Sequence, residues 1–388
     1  MNDIIIKQAL LCARTYFDES SKISPSMANR VHIVFEEIFN ILLRLSGISD
    51  LEQKLKHLNE HMQDVEFKEN LTKQLIGNIT DMREIALLNQ HLKYLAEFGR
   101  ILPFEGPSYY ELSEPNKIDD QIHFLKESLI KHKLVKKSTT APIAIILPFR
   151  IANKFRLRNL LSSLLGIHNS FIDKSKYSII AVNQDAEDCY EDVISDYVDH
   201  YIFAKNETAY NVSWARNIGA VCGRESEILL FWDIDIVAPR ELINKIYESF
   251  DDSIGCVVPY TSGINLNERS TSYFIEHIPS TIAYNSLMDN LNGQVMHEVY
   301  GFMIAVRSNE YFKIGGFDER YEGWGDEDND FYSRIYASTK IRRLNLPIYH
   351  LDHPRPLMRI EGEKLNRNLI NDPISEQDNI GVLNKYSS

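Results

Sequence analysis

Apolar residues recur every three or four positions through the first third of the chain, a spacing that predicts helices. Ile33, Val34, Ile38, Ile41, Leu42 and Leu45 form one stripe. Leu75, Ile79, Met82, Ile85, Leu88, Leu92, Leu95 and Phe98 form a second, with charged residues between them. Each stripe buries one helix face, so residues 1–135 read as a helical bundle, punctuated at Gly47 and Pro103. Residues 131–142, KHKLVKKSTTAP, read as an exposed linker. From Ala141 the period changes. Ile143–Leu147 is an unbroken apolar run ending at Pro148; Tyr177–Val182 and Ile228–Trp232 are two more, and His200–Ala204 is a shorter one. Phe155–Ile167, Asp188–Tyr197 and Asn211–Cys222 read as helices between them, and Leu344–Ile348 as a late strand. Strands alternating with helices predict a mostly parallel α/β sheet covered on both faces. The expected organisation is a helical domain over 1–138 and a Rossmann-like sheet domain over 139–388. The bundle stripes read as plain core, with partner binding, self-association or a lipid contact through the 131–142 lysines as alternatives.

Composition narrows the classes. With 44% hydrophobic residues among 388, a sizeable core is expected. The net charge of −13 argues against a nucleic-acid-coating protein. It is unevenly spread. Residues 1–140 carry 18 Lys and Arg against 20 Asp and Glu, whereas the rest carries 24 against 35. An acidic domain that holds an anionic nucleotide needs local cations, from basic side chains or a metal. Cys12, Cys189, Cys222 and Cys256 form no CxxC pair, which argues against a disulfide framework or a zinc knuckle. The opening MNDIIIKQALLCARTYF is too short for a span and lacks a leader's cleavage pattern, so a cytoplasmic location is expected.

Three features carry chemistry. In parallel sheets ligands sit at the carboxyl ends of strands, and Asp233-Ile234-Asp235 directly follows the run LLFW. Two carboxylates there suit a divalent cation with oxygen ligands, or cap the next element. The second feature is Gly323-Trp324-Gly325-Asp326-Glu327-Asp328-Asn329-Asp330. A calcium loop fails, because its sixth and twelfth positions are Phe331 and Ala337. An acidic helix start and a catalytic carboxylate beside a sugar-covering Trp both remain, and are compatible. Third, His350 and His353 could reach one ion if their segment turns, or simply lie on the surface.

The ordered set resembles the β-1,4-galactosyltransferase group and its bacterial relatives, including the sugar-adding domains of chondroitin-type polymerases. The resemblance covers roughly residues 142–360. It rests on IAIILPFR at 143–150, YSIIAVNQ at 177–184, YNVSWARNIGA at 210–220, FWDIDIV, and the segment from Tyr300 to Asp330. It implies a GT-A fold and a glycosyltransferase acting on a nucleotide-sugar donor, with UDP-galactose or UDP-N-acetylgalactosamine favoured, and a glycan acceptor. By this resemblance Pro148, Phe149 and Arg150 contact the nucleotide, with Tyr210, Tyr300 and Asp233 also on the donor side. Asp235, His350 and His353 bind the metal, manganese or another divalent cation such as magnesium. Trp324 and Gly325 belong to a mobile loop over the acceptor, Glu327 holds the acceptor sugar and Asp328 is the general base. The chain departs from the group at Glu322, where a longer Trp-Gly run is usual, at Val212, where a basic residue is expected, and after Arg150, where a second Arg is expected.

The implied reaction is an inverting displacement, in bacterial capsule or surface polysaccharide synthesis. A retaining transferase on the same fold, a non-catalytic carbohydrate-binding protein and a helical scaffold with an inactive transferase domain are the alternatives.

Overall fold

The computed structural model describes residues 2–17, 28–61, 64–105, 117–134, 140–279, 287, 290–297, 299–354, 359–360, 363–369, 372, 374 and 379–386. Twelve strands concern the fold. In chain order they are β1 (Ile101–Glu105), β2 (Ile143–Phe149), β3 (Tyr177–Asn183), β4 (His200–Phe203), β5 (Ile228–Trp232) and β6 (Ile236–Val237). β7 (Ile254–Val258), β8 (Ser262–Leu266), β9 (Asn292–His297), β10 (Met303–Arg307), β11 (Lys340–Arg343) and β12 (Pro347–His350) follow.

The chain forms two compact units. One comprises Met1–Pro115, Ile264–Phe274 and Asn285–Glu298; the other comprises Asn116–Gly263, Ile275–Tyr284 and Val299–Ser388. In the first, helices Asn2–Tyr16, Ala28–Ser46, Leu51–Glu60, Val65–Asn78 and Met82–Glu97 bury Phe35, Ile38, Leu42, Leu55, Leu75 and Leu88 in one core. The apolar stripes are mostly inside, but Ile33, Met82 and Phe98 are exposed, at 61%, 63% and 71%. The second stripe is also not one helix. Asp81 caps a new start by accepting a hydrogen bond from the Arg83 amide, so the chain breaks at Ile79–Asp81. This unit is not purely helical either. β1 pairs antiparallel with β9, from Ile101 opposite Met296 to Glu105 opposite Asn292. Periodicity within residues 1–135 could not reveal a partner strand so distant in sequence.

The second unit holds a seven-stranded sheet in the order β11-β7-β10-β5-β2-β3-β4. β2 lies parallel to β3 and β5, β3 to β4, and β11 to β7; only β10 runs antiparallel to its neighbours β5 and β7. Every residue of β2, β3 and β5 is buried, as their unbroken apolar runs require of strands covered on both faces. The helix Ile118–Leu129 belongs to this unit. Arg158 donates to Gln121 Oε1 at 3.2 Å, and Lys154 pairs with Asp119 at 2.7 Å. Of the expected linker, Leu134 is tied by its amide to the Asp196 carbonyl; residues 135–139, and with them the expected boundary at 138/139, lie outside the described residues.

Two elements differ from expectation. Asp188–Tyr197 is not one helix but an α-turn at Glu191–Ile194 and a 3₁₀ turn at Ser195–Tyr197. The carbonyls of Asp196 and Tyr197 accept from Leu134 N and His168 Nε2, which leaves them unavailable to a continuing helix. The strand expected at Leu344–Ile348 overlaps β12 only at Pro347 and Ile348, and β11 ends just before it. Among the described residues no helix is long and apolar enough to cross a membrane, and all four cysteines are free.

Candidate active site

β5 ends at Trp232 and delivers Asp233 and Asp235 into a tight turn, closed by the Ile236 amide on the Asp233 carbonyl. β6 then pairs antiparallel with β12, with Ile236 opposite His350, and the Leu351 amide donates to the Asp235 carbonyl at 2.8 Å. This register brings two distant segments together. His353 Nε2 lies 2.9 Å from Asp235 Oδ2, and His350 Nε2 lies 3.7 Å from Asp235 Oδ1. All three residues are buried, and one ligand atom from each lies within 4.8 Å of the others. The histidines are therefore not surface residues.

The donor chemistry suits a divalent cation. His353 Nδ1 faces the Pro354 carbonyl at 2.9 Å, a contact that orients the ring with Nε2 toward Asp235. Nε2 is buried and has no aligned hydrogen-bond partner despite its closeness to Asp235. Burial alone would raise the Asp235 carboxyl. His350, His353 and the Arg156 guanidinium outweigh it and hold the group well below its usual range, so it stays an anion. Arg156 donates to Asp235 Oδ2 at 2.5 Å. Behind the site, fully buried Arg158 and Asn159 both donate to the Asp352 carbonyl, between the two histidines.

A second cluster is organised by Arg216, on the helix Val212–Cys222. Asn211 starts that helix by accepting from the Trp214 amide. Arg216 is buried and lies over the Phe317 ring at 4.7 Å. It donates to Asp233 Oδ1 at 2.8 Å and to the Gly301 carbonyl at 3.4 Å, and pairs with Glu327 Oε1 at 3.5 Å. One guanidinium thus joins the strand-end carboxylate to the acidic loop. Burial pushes Asp233 up to about 6, with Asp235 adding to the rise and Arg216 opposing it. Burial, then Asp328, pushes Glu327 up to about 7 against Arg216. Burial also raises Asp328, again against Arg216.

Glu327 and Asp328 open the helix Glu327–Ser338, so the acidic segment is a helix start, and it sets Glu327 against the Arg216 that holds Asp233. The loop before it is tightly turned. Gly323, Gly325 and Asp326 have φ of 72°, 110° and 69°; for Asp326 this left-handed conformation is strained. The Gly323 amide donates to the Tyr210 carbonyl at 2.7 Å, and Asn366 Nδ2 donates to the carbonyls of Glu322 and Gly325, both at 3.1 Å. Trp324 is half-buried. Tyr300 stacks on Tyr332, with centroids 3.7 Å apart, next to Gly301 and Asp328.

The nucleotide-side residues are placed differently from one another. Pro148 and Phe149 are buried within β2. Arg150 donates to three backbone carbonyls, Gln184 at 2.7 Å, Thr208 at 2.7 Å and Asn206 at 2.9 Å, and its guanidinium stands 5.6 Å from the Tyr210 ring centroid. Its donors bind the chain itself and shape the 205–210 loop.

Sequence reasoning missed the two arginines nearest the acids. Arg156 lies six residues after Arg150, and Arg216 one helical turn after Val212, where the departures were noted. A signal for Arg216 was present: it is the only charge in VSWARNIGA, and a charge in so apolar a helix needs a buried partner.

A model of the family described as "Glycosyltransferase like family 2" matches residues 144–368, more than half of the chain. The chain belongs to this glycosyltransferase family. Every residue of both clusters falls inside the matched stretch. The α/β sheet domain and the helical N-terminal region are as expected. Among individual proteins, the chain is similar to chondroitin sulfate N-acetylgalactosaminyltransferase 2 of Homo sapiens, 25% identical over 164 residues, and of Mus musculus, 24% identical over 160. These matches span 42% and 40% of this chain but only 30% and 29% of those proteins. Solved structures of similar shape include the catalytic domain of Drosophila β1,4-galactosyltransferase 7 with xylobiose, at 16% identity and a TM-score of 0.37, covering 62% of this chain and 84% of that one. Staphylococcus aureus TarS is another, at 14% identity and a TM-score of 0.39, covering 55% and 37%.

Proposed function

We propose that this family member transfers a galactose or N-acetylgalactosamine from its UDP donor to a glycan hydroxyl with inversion at the anomeric carbon. The observation that carries the reading is the buried Asp235–His350–His353 group on the same strand-end turn as Asp233, which Arg216 bridges to Glu327, the neighbour of Asp328. The named N-acetylgalactosaminyltransferase relatives favour that sugar.

In this reading Asp235, His350 and His353 would hold a divalent cation, manganese first, which when bound would supply positive charge opposite the leaving diphosphate. Arg216 fixes Asp233 on the donor side and Glu327 on the acceptor side, so the two substrates share one positioning element. Glu327, half neutral near pH 7, both accepts and donates hydrogen bonds to an acceptor sugar. Trp324 covers that sugar and, with Gly325, excludes water. Asp328 takes the proton of the acceptor hydroxyl as its oxygen bonds to the anomeric carbon and the bond to the nucleoside diphosphate breaks. Tyr300 and Tyr210 line the donor side. Pro148, Phe149 and Arg150 act indirectly, by shaping the strand end and the 205–210 loop.

The transferase portion is read as 139–388, preceded by the helical region, a candidate for self-association or peripheral membrane contact. Surface polysaccharide synthesis in the bacterial cytoplasm is the setting the reading suggests. An Asp available as base favours inversion over retention, and the metal group with a candidate base favours catalysis over carbohydrate binding alone.

The test is a panel. UDP-galactose and UDP-N-acetylgalactosamine are incubated with N-acetylglucosamine, N-acetylgalactosamine, glucuronic acid or xylose, with manganese or with chelator. The expected result is manganese-dependent UDP release and a product of inverted anomeric configuration. A retained anomer would overturn the inverting step, and turnover undiminished by chelator would overturn the metal role.

A further inference from the structure

Glu322 directly precedes the Gly-Trp-Gly turn, and the transferase reading assigns it nothing. The structure gives it a partner far along the chain. The Tyr386 hydroxyl donates to Glu322 Oε1 at 2.7 Å and accepts from Asn211 Nδ2 at 2.9 Å. Asn211 caps the helix that carries Arg216, and Glu322 immediately precedes the Gly323–Asp326 turn. One hydroxyl therefore links the base of the Arg216 helix to the base of the Trp324 loop.

The segment around Tyr386 is built for this seat. Trp214 Nε1 donates to the Val382 carbonyl at 2.9 Å, and its ring meets Tyr386 edge-on at 4.9 Å. Glu319 receives the Gly381 amide at 2.7 Å and Lys385 Nζ at 2.8 Å. Gly381 has φ +67°, and a β-carbon there would stand 2.7 Å from the Asn217 backbone. Only glycine lets the segment lie so close against the helix. Gly381, Val382, Lys385 and Tyr386 fall outside the stretch that matches the family, 144–368, whereas the residues they seat on fall inside it.

We infer that residues 379–386 form a strap that sets the position of the Trp324 loop, with the Tyr386 hydroxyl as its latch on Glu322. Tyr386 is then a positioning residue for the acceptor side: it touches no substrate, but it holds the loop that carries Trp324 and leads to Glu327 and Asp328. The inference rests on the transferase reading for its kinetic consequence, though not for its structural one.

The test compares the full chain with Tyr386→Phe, which keeps the ring against Trp214 and removes only the hydroxyl. Transfer is measured with manganese, UDP-N-acetylgalactosamine and the best monosaccharide acceptor of the panel above. Loss of a hydrogen bond to a charged group should raise the acceptor KM or lower kcat by about tenfold. UDP affinity by calorimetry and the thermal midpoint should stay at wild-type values, and the Gly323 amide, bonded to the Tyr210 carbonyl, should exchange faster. Unchanged acceptor kinetics would overturn the latch. So would a parallel loss of UDP affinity, acceptor binding and thermal midpoint, which marks a general scaffold. If the wild-type chain turns over no donor, the transferase reading fails, and hydrogen exchange at Gly323 alone decides: faster exchange in Tyr386→Phe supports the strap, and unchanged exchange overturns it.

Discussion

Gly301 and Asp328 approach so closely that a β-carbon on residue 301 would stand 2.5 Å from Asp328 Oδ2. The antiparallel strand β10 begins two residues later, so the backbone at Gly301 is fixed by the sheet and the carboxylate is what must move. Gly301→Ala should therefore displace Asp328 and lower transfer sharply, while the Asp235–His350–His353 group still binds manganese. Parallel kinetics and manganese calorimetry check this. Normal transfer in Gly301→Ala would mean that the carboxylate position is not critical.

Arg156 donates at 2.5 Å to Asp235 Oδ2, the oxygen that His353 Nε2 also approaches. A cation drawing on that oxygen competes with the guanidinium. Arg156→Ala should accordingly bind manganese more tightly than wild type in the absence of nucleotide, and Asp235→Ala should not bind it measurably. Calorimetry with manganese alone reads both. Equal affinity in wild type and Asp235→Ala would remove the metal assignment.

Glu327 gives a signed pH prediction. Its folded-state value is pushed up to about 7 from an ordinary 4.5, so its contribution to stability is fully present below about 4.5 and is lost as pH rises through 7. That loss is on the order of 3 kcal/mol. Between pH 5 and 8 the metal-free wild type should lose thermal stability that Glu327→Gln keeps. The raised Asp328 carboxyl should also shift the acid limb of kcat/KM upward from the ordinary carboxylate position. Identical stability profiles for wild type and Glu327→Gln would contradict the shift.

Arg216 opposes the rise of Asp233, Glu327 and Asp328 alike. Arg216→Lys keeps the charge but cannot fork between Asp233 and Glu327, so it should slow transfer and move the acid limb to higher pH. Arg216→Met leaves both acids without their buried partner and should cost about 3–5 kcal/mol in chemical unfolding. An unmoved acid limb in Arg216→Lys would argue against the bridge.

Much of this arrangement was legible beforehand, for identifiable reasons. β5 was exact because ILLFW is an unbroken apolar run, and the strand-end rule then pointed to Asp233 and Asp235. The pairing of β6 with β12 turned two histidines of ambiguous meaning into a buried group with Asp235, which spacing alone could not do. β1 and β9 escaped notice because their pairing is non-local and each is only partly apolar. Arg150 was expected to face a ligand, yet its donors satisfy three carbonyls of its own chain. Sequence gives the identity of a donor but not where its hydrogen bonds go.

The central claim is that Asp328 is the base, and Asp328→Asn tests it most directly. The substitution keeps the size of the side chain and removes the proton acceptor, leaving Asp235, His350 and His353 untouched. The transfer rate, measured beside UDP affinity in manganese, should fall by about 10²–10⁴-fold with UDP affinity unchanged. Transfer at the wild-type rate would contradict the account, because another group would then be taking the proton.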